Sequence, residues 1–216
     1  MARLAIFDVD HTITRRSTGL RLVQCGIRHG LFSAGSLVSL PYHYIRYRAG
    51  KINVERAIAA LSRLEGCSRD ELICVAVDCY RRRVAADVIQ ASRNAIEYHR
   101  GAGDTIVLAT SSLGLIVAPL AEHLDAAHLI ATELEFRDGR ATGLLDGGPC
   151  LGAEKRRRVE ALADSIDADL QDAWFYSDSH LDLPLFDAVG HPVAVNPDRR
   201  LRHIARERGW PIERFR

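Results

Sequence analysis

The chain has 216 residues, a formal net charge of +1 and 47% hydrophobic residues. This length is enough for one sizeable core with a smaller subdomain, and the composition excludes wholesale disorder. The near-neutral charge gives no reason to expect a nucleic-acid partner or a general attraction to anionic membranes.

Cysteine usage and the N-terminal segment indicate a reducing compartment. The five cysteines are odd in number and form no C-x-x-C pair, which argues against a disulfide framework and a zinc site. The N-terminal apolar run is too short for a signal peptide, and no segment reaches the roughly 20 apolar residues of a membrane span. We expect a cytoplasmic protein without stable membrane insertion. The lipophilic stretch 30–45, broken by three serines and a proline, is interpreted as a surface or cap helix.

The first predicted element is a short buried strand, and a long helical stretch follows it. The apolar run 4–7 is typical of a strand covered on both faces. Residues from about 14 to 86 contain no strand-like run, but helical patterns lie at 20–28, 34–48, 53–64 and 69–82. We therefore predict a helical insertion after the first strand.

Strand and helix patterns alternate through the rest of the chain. Helical spacing occurs at 88–99, 113–124 and 155–166, and apolar strand-like runs at 105–109, 128–130, 173–176 and 192–195. Pro119 predicts a local break in the second of these helices, and Asp138-Gly139 predicts a β-hairpin within 133–145. The alternation predicts an α/β fold with a doubly wound, mainly parallel Rossmann-like sheet. Ligands of such sheets bind beyond the carboxyl ends of the strands.

Polar side chains stand at those strand ends and at one helix start. They are Asp8 and Asp10 after the first strand, Thr110 with Ser111 and Ser112, Lys155, and the pair Asp178 and Asp182. Taken singly, each has a structural explanation as a helix cap or a surface charge. Their joint placement favours a single active site.

These motifs resemble those of the haloacid dehalogenase (HAD) superfamily of phosphohydrolases over essentially the whole chain. The phosphoserine-phosphatase-like branch, subfamily IB, is similar in the phrase 175–184 and in the segment 192–198. The resemblance implies an HAD-like catalytic core of residues 1–14 and 87–216 and an α-helical cap of residues 15–86. It further implies a Mg²⁺-dependent phosphomonoester hydrolase that acts on a small phosphorylated metabolite through an aspartyl-phosphate intermediate.

The resemblance also implies catalytic roles. Asp8 is expected to attack phosphorus as a nucleophile, and Asp10 to protonate the leaving alkoxide and later activate water. Thr110 and the backbone N–H of Ser111 are expected to hold phosphate oxygens at a helix N-terminus. Lys155 is expected to neutralise charge on the phosphoryl group and on Asp8.

The metal site is implied in the same way. Asp8, the backbone carbonyl of Asp10, and Asp178 are expected to hold Mg²⁺, an ion that prefers oxygen ligands. Asp182 is expected to orient this shell through a metal-bound water or Lys155. Thr12 is expected to support the loop beside the phosphate.

Three departures from the family pattern bear on the substrate. His11 stands where many relatives have glycine, and we interpret it as a loop residue at the surface. Ser17 and Leu61 stand where phosphoserine phosphatases carry the charged groups that recognise the substrate's amine and carboxylate. Phosphoserine is therefore disfavoured, although a small shift in alignment would bring Arg56 or Arg63 to the second of these places.

Several alternatives stay open at this point. Arg15 and Arg16, at the neck of the cap, are either contacts for a second anionic group of the substrate or solvated charges. Phosphoserine and histidinol phosphate remain alternative substrates, and a phosphotransferase an alternative enzyme. A non-catalytic phosphate- or partner-binding scaffold is the alternative of another class. The sequence carries no signal of oligomeric state.

Overall fold

A six-stranded parallel sheet forms the centre of the computed structural model, which describes residues 2–32 and 61–216. In chain order the strands are β1 Leu4–Phe7, β2 Thr105–Leu113, β3 His128–Thr132, β4 Leu134–Arg137, β5 Arg140–Leu145, β6 Trp174–Ser177, β7 His191–Val195 and β8 Ile212–Glu213. Their order in the sheet is β3-β2-β1-β6-β7-β8, and a separate antiparallel hairpin contains β4 and β5.

Helices cover both faces of the sheet. In chain order the helices of the described residues are α1 Thr18–Arg28, α2 Arg69–Cys79, α3 Gln90–Gly101, α4 Gly114–His123, α5 Ala153–Ser165, α6 Leu183–Phe186 and α7 Arg199–Glu207. Helix α2 runs on through a wide turn at Tyr80–Val84 into a further helical turn at Ala85–Asp87. The predicted α/β fold with a doubly wound parallel sheet is confirmed.

Strand β1 lies at the centre of the core. All four of its residues are fully buried, and alternate side chains enter opposite layers. Ala5 and Phe7 join the apolar cluster that contains residues of α3 and α4, and Leu4 and Ile6 join the one that contains residues of α5 and α7. This burial on both faces explains why the strand reads as a continuous apolar run.

The predicted and observed elements differ at a few ends. Strand β2 continues to Leu113, four residues past its predicted end, with an irregularity in its pairing to β3 after Ala109. Helix α4 is not broken at Pro119, because the loss of one backbone hydrogen bond is offset by the buried side chains of Ile116, Val117 and Leu120 around it. Strand β8 and helix α6, of two and four residues, are too short to show a period, and α7 was not predicted although Leu201, Ile204 and Ala205 follow helical spacing.

The helical insertion is described in part. Helix α1 packs against α2 and α4 through a cluster that contains Leu22, Val75, Ala76 and Ile116. The predicted helix 34–48, most of the predicted helix 53–64 and most of the lipophilic stretch 30–45 lie outside the described residues. The cap boundaries stay a prediction. In the two described segments, no helix is long and apolar enough to cross a membrane.

The β4–β5 hairpin is confirmed where the sequence predicted it. Asp138 and Gly139 form the two-residue connection, with φ of 50° and 75°. Two successive positive φ values are those of a type I′ turn, for which Asp-Gly is a favoured sequence.

Candidate active site

Asp8, Lys155 and Asp182 meet at the carboxyl end of the sheet. Asp8 directly follows β1, and its N–H donates to the Tyr176 carbonyl at 2.9 Å, which continues the pairing of β1 with β6. Lys155, the third residue of α5, places its Nζ 2.9 Å from Asp8 Oδ1 and 2.8 Å from Asp182 Oδ1. The three residues are buried, with exposures of 7%, 1% and 2%.

A hydroxyl group fixes the second carboxylate of this cluster. Ser177, the last residue of β6, donates from Oγ to Asp182 Oδ2 at 2.6 Å. Asp182 therefore accepts from both Lys155 and Ser177, and the lysine is held between two oriented carboxylates. The expected link from Asp182 to Lys155 is present in the structure, whereas the sequence had given no role to Ser177.

Burial and charge shift the acidity of this cluster. Burial raises the pKa of Asp8 to about 7; Lys155 opposes this shift, and Asp182 and Asp10 add to it. Burial alone would lower the pKa of Lys155, but the carboxylates of Asp182 and Asp8 raise it well above its usual value. Lys155 is thus a cation between two carboxylates, Asp8 and Asp182. Its single positive charge cannot neutralise both, so negative charge is in excess at this site.

The expected Mg²⁺ ligands fit this excess of negative charge. Asp178 is buried, follows β6 directly, and accepts the Asp198 N–H on its carbonyl at 2.9 Å. Across residues 2–32 and 61–216, no three His, Cys, Asp or Glu side chains form a ready metal cluster. The expected set requires only the carboxylates of Asp8 and Asp178 and the carbonyl of Asp10. Such an all-oxygen set suits Mg²⁺, which usually keeps several waters.

The Asp10 carboxylate is held by two hydroxyl groups and one backbone amide. Thr18 donates to Asp10 Oδ1 from both its N–H and its Oγ1, each at 2.8 Å. Ser112 donates from Oγ to Asp10 Oδ2 at 3.0 Å. Neither contact was predicted from the sequence, because Thr18 and Ser112 lie 8 and 102 residues from Asp10 and no local spacing connects them.

Thr110 and Ser111 lie at this edge of the sheet, but not at a helix N-terminus. Thr110 is buried, and its Oγ1 accepts the Ser112 N–H at 3.1 Å. Helix α4 begins only at Gly114, which corrects the expectation that Thr110 and Ser111 lie at its N-terminus. The intervening segment stays extended because Thr132 donates from Oγ1 to the Ser111 carbonyl at 2.8 Å and pairs with Leu113.

The loop after Asp10 contains His11 and Thr12. His11 has φ of 65°, in the left-handed region that favours glycine. Its Nδ1 lies 3.2 Å from the Arg15 carbonyl. Thr12 has no exposed surface, and its carbonyl accepts from Ser92 Oγ at 2.7 Å. The Ser92 contact ties the loop to α3.

The residues considered for substrate specificity have different surroundings. Arg15 and Arg16 are exposed. Ser17 is the N-cap of α1 and accepts from the Leu20 N–H at 3.4 Å. Leu61 packs against the apolar cluster that contains Leu64, Leu72 and Leu134.

A second pair of residues missed by the sequence reading supports the loop after Asp178. The His180 backbone N–H and its Nδ1 lie 2.9 and 2.8 Å from Asp198 Oδ2. The other oxygen of Asp198 caps the first turn of α7, and its N–H bonds to the Asp178 carbonyl. Asp198 thereby connects β7 and α7 to the predicted metal loop.

Comparison with known proteins agrees with this geometry. The model of the haloacid dehalogenase-like hydrolase family matches residues 5–187. A phosphoserine phosphatase of Mycobacterium tuberculosis is 32% identical over 98% of this chain and 70% of its own. A histidinol-phosphatase of Neisseria meningitidis is 31% identical over 100% of both chains.

A solved structure shares nearly the whole architecture. A protein of unknown function from Bordetella pertussis Tohama I superposes with a TM-score of 0.86 and 32% identity, covering 99% of this chain and 98% of its own. The family match, the phosphatase relatives and the site at the carboxyl edge of the sheet agree with one another. The chain belongs to the haloacid dehalogenase-like hydrolases, and it is a phosphatase of the phosphoserine-phosphatase-like type.

Proposed function

We propose that the protein hydrolyses a small phosphomonoester with Mg²⁺, through an aspartyl-phosphate formed on Asp8. The observation that carries the proposal is the buried Lys155 ammonium held between Asp8 and Asp182. A carboxylate is a weak nucleophile, and a fixed cation beside it lowers the repulsion of an anionic phosphate. The metal, when bound, would offset further negative charge on the substrate.

The reaction proceeds in two displacements at phosphorus. An Asp8 oxygen forms a bond to phosphorus as the ester P–O bond breaks, and Asp10 supplies a proton to the departing alkoxide. Water then attacks the phosphorus of the aspartyl-phosphate while Asp10 takes a proton from it, which frees Asp8 and inorganic phosphate. Thr110 and the Ser111 N–H are assigned to the phosphoryl oxygens and Lys155 to the charge that develops on them.

The substrate is proposed to be a small phosphorylated alcohol other than phosphoserine. Ser17 serves as a helix cap and Leu61 as an apolar packing residue, so neither supplies the charge that would recognise serine. Histidinol phosphate is the first compound to test, because the relative named for that activity matches this chain from end to end. A screen of phosphomonoesters ranked by kcat/KM would identify the substrate.

The nucleophile is tested with Asp8→Asn. We expect turnover of 4-nitrophenyl phosphate to fall by roughly 10³-fold or more, because the amide cannot form the acyl phosphate. Far-ultraviolet circular dichroism checks that the variant is folded. Activity within tenfold of the parent would exclude Asp8 as the nucleophile. Product analysis with added alcohols separates hydrolysis from phosphotransfer.

The requirement for Mg²⁺ is tested by measuring the Tm and the activity of the protein after treatment with excess EDTA. We expect activity to be lost without Mg²⁺ and restored by it, and Mg²⁺ to raise the Tm of the EDTA-treated protein. Asp178→Asn should remove most of this rise. The matched control is Asp187→Asn, which removes a surface carboxylate paired with Arg208 and should leave the rise intact. Equal responses of both variants would contradict the ligand assignment.

A further inference from the structure

The N-terminus of α1 is joined directly to the Asp10 carboxylate. Thr18, the first residue of α1, places its N–H and Oγ1 each 2.8 Å from Asp10 Oδ1. Thr18 is 1% exposed and Asp10 is half-buried, so these bonds are partly shielded from water. A buried donor that loses its acceptor pays a desolvation cost, so the Thr18 groups favour the geometry in which Asp10 stays against them.

Ser112 closes the arrangement from the opposite element. Its Oγ lies 3.0 Å from Asp10 Oδ2 and 2.8 Å from Thr18 Oγ1. Asp10, on the loop after β1, is therefore clamped between α1 and the end of β2. Both oxygens of the carboxyl group are engaged, which fixes its rotation as well as its position.

Helix α1 is itself part of a rigid assembly. Leu22 packs with Val75 and Ile116, which belong to α2 and α4. Arg21 forms a buried ion pair with Asp87, at the end of the helical stretch that follows α2. A shift of α1 relative to β1 would have to break the Thr18 bonds or move Asp10 with them.

We propose that Thr18 is a positioning residue for Asp10, and that it holds the carboxyl group where it can reach the leaving oxygen of the substrate. Ser112 is the second half of the same clamp. The inference rests on the acid–base role given to Asp10 in the proposed function. It assigns to the start of α1 a task in proton transfer, in addition to its task in packing.

The experiment compares two substrates of similar size that differ in leaving group. Benzyl phosphate releases an alkoxide that needs a proton, whereas 4-nitrophenyl phosphate releases a stable phenolate that does not. Thr18→Val removes the hydroxyl and keeps the shape. We expect kcat for benzyl phosphate to fall about 10- to 100-fold and kcat for 4-nitrophenyl phosphate less than about threefold, with KM little changed. Thr18→Ser should restore most of the loss.

The control is Thr14→Val, in the same connection. Thr14 is fully buried, and its hydroxyl lies 2.8 Å from the Arg16 carbonyl and 3.3 Å from the Val9 carbonyl, so its partners are backbone groups of this connection. A variant that only weakens the fold should leave the ratio of the two turnover rates unchanged. If Thr18→Val also leaves that ratio unchanged, the positioning role is refuted.

Asp10→Asn separates failure of this inference from failure of the proposed function. A loss in Asp10→Asn that is selective for benzyl phosphate supports the acid role, and Thr18→Val then decides the positioning role alone. Equal loss for both substrates in Asp10→Asn would overturn the acid assignment and this inference with it.

Discussion

At the scale of single residues, Asp8 is a buried carboxyl group whose pKa is raised by its surroundings. Asp8 lies beside the carboxylates of Asp182 and Asp10, and only partial compensation comes from Lys155. Its pKa is raised from 3.8 to about 7, chiefly by burial. A group with a raised pKa binds protons more tightly in the folded chain than in the unfolded chain. Ionised Asp8 therefore costs stability, and the proposed cation would offset part of this cost when bound.

This cost predicts the pH dependence of the metal-free protein. The contribution of Asp8 to the free energy of unfolding should fall as the pH rises from about 4 to about 7. This is the interval between the pKa of Asp8 in the unfolded chain and its pKa in the folded chain. Asp8→Asn removes the charge, so at pH 8 in excess EDTA we expect its Tm to exceed that of the parent by about 2–4 °C or more. The difference should shrink as the pH is lowered toward 4.

Differential scanning calorimetry at several pH values measures this effect. Asp187→Asn, which removes a surface carboxylate paired with Arg208, is the matched control and should show no such dependence. A variant Asp8→Asn that melts below the parent at pH 8 without metal would refute the interpretation that Asp8 is strained by its charge.

At the scale of elements, α2 begins with a complete capping box. The Ser68 N–H donates to Glu71 Oε2 at 2.8 Å, and the Glu71 N–H donates to Ser68 Oγ at 3.2 Å. The Ser-x-x-Glu spacing is a local signal, and it marks a helix start that the sequence placed at residue 69. Helix ends of this kind are readable because the groups that cap them are neighbours in the chain.

Removal of this cap should affect stability and leave catalysis intact. We expect Ser68→Ala to cost about 1 kcal/mol, because one orphan amide of the first turn loses its acceptor. For a chain of this size the Tm should fall by about 2–4 °C. Ser165→Ala, at the exposed last residue of α5, is the control and should change the Tm less. A change in kcat/KM in Ser68→Ala would show that α2 has a further role.

At the scale of the whole molecule, a buried ion pair joins the two ends of the helical insertion. Arg21 on α1 donates from Nε to Asp87 Oδ2 at 2.6 Å and from Nη2 to Oδ1 at 3.0 Å. Both residues are buried, at 6% and 8% exposure. Asp87 also accepts the Arg15 N–H on its carbonyl, so the entry and exit of the insertion are held together next to the Asp10 loop.

Breaking one side of this pair should be more harmful than removing both sides. We expect Arg21→Met to cost about 3–5 kcal/mol, because it leaves the Asp87 carboxylate buried without its partner. Arg21→Met with Asp87→Leu should recover a large part of this loss. Chemical denaturation measures both free energies of unfolding, and a double variant less stable than Arg21→Met would contradict the argument.

The sequence by itself determined the alternation of strands and helices, the hairpin at Asp138-Gly139, and the placement of Asp8, Asp10, Lys155 and Asp178 at strand ends or a helix start. These features are local, since apolar runs, turn residues and polar termini are read from neighbours along the chain. The tertiary structure alone decided which partners those side chains take.

Packing between elements fixes the hydrogen bonds that hold the reactive groups. They are the bonds of Thr18 and Ser112 to Asp10, of Ser177 to Asp182 and of His180 to Asp198. Most of these contacts join different elements, and no periodicity marks them. The extension of β2 to Leu113 has the same origin, because its pairing with Thr132 depends on where β3 lies. Residue types and strand ends therefore specify the chemistry, whereas contacts between elements distant in the chain decide how each reactive group is held.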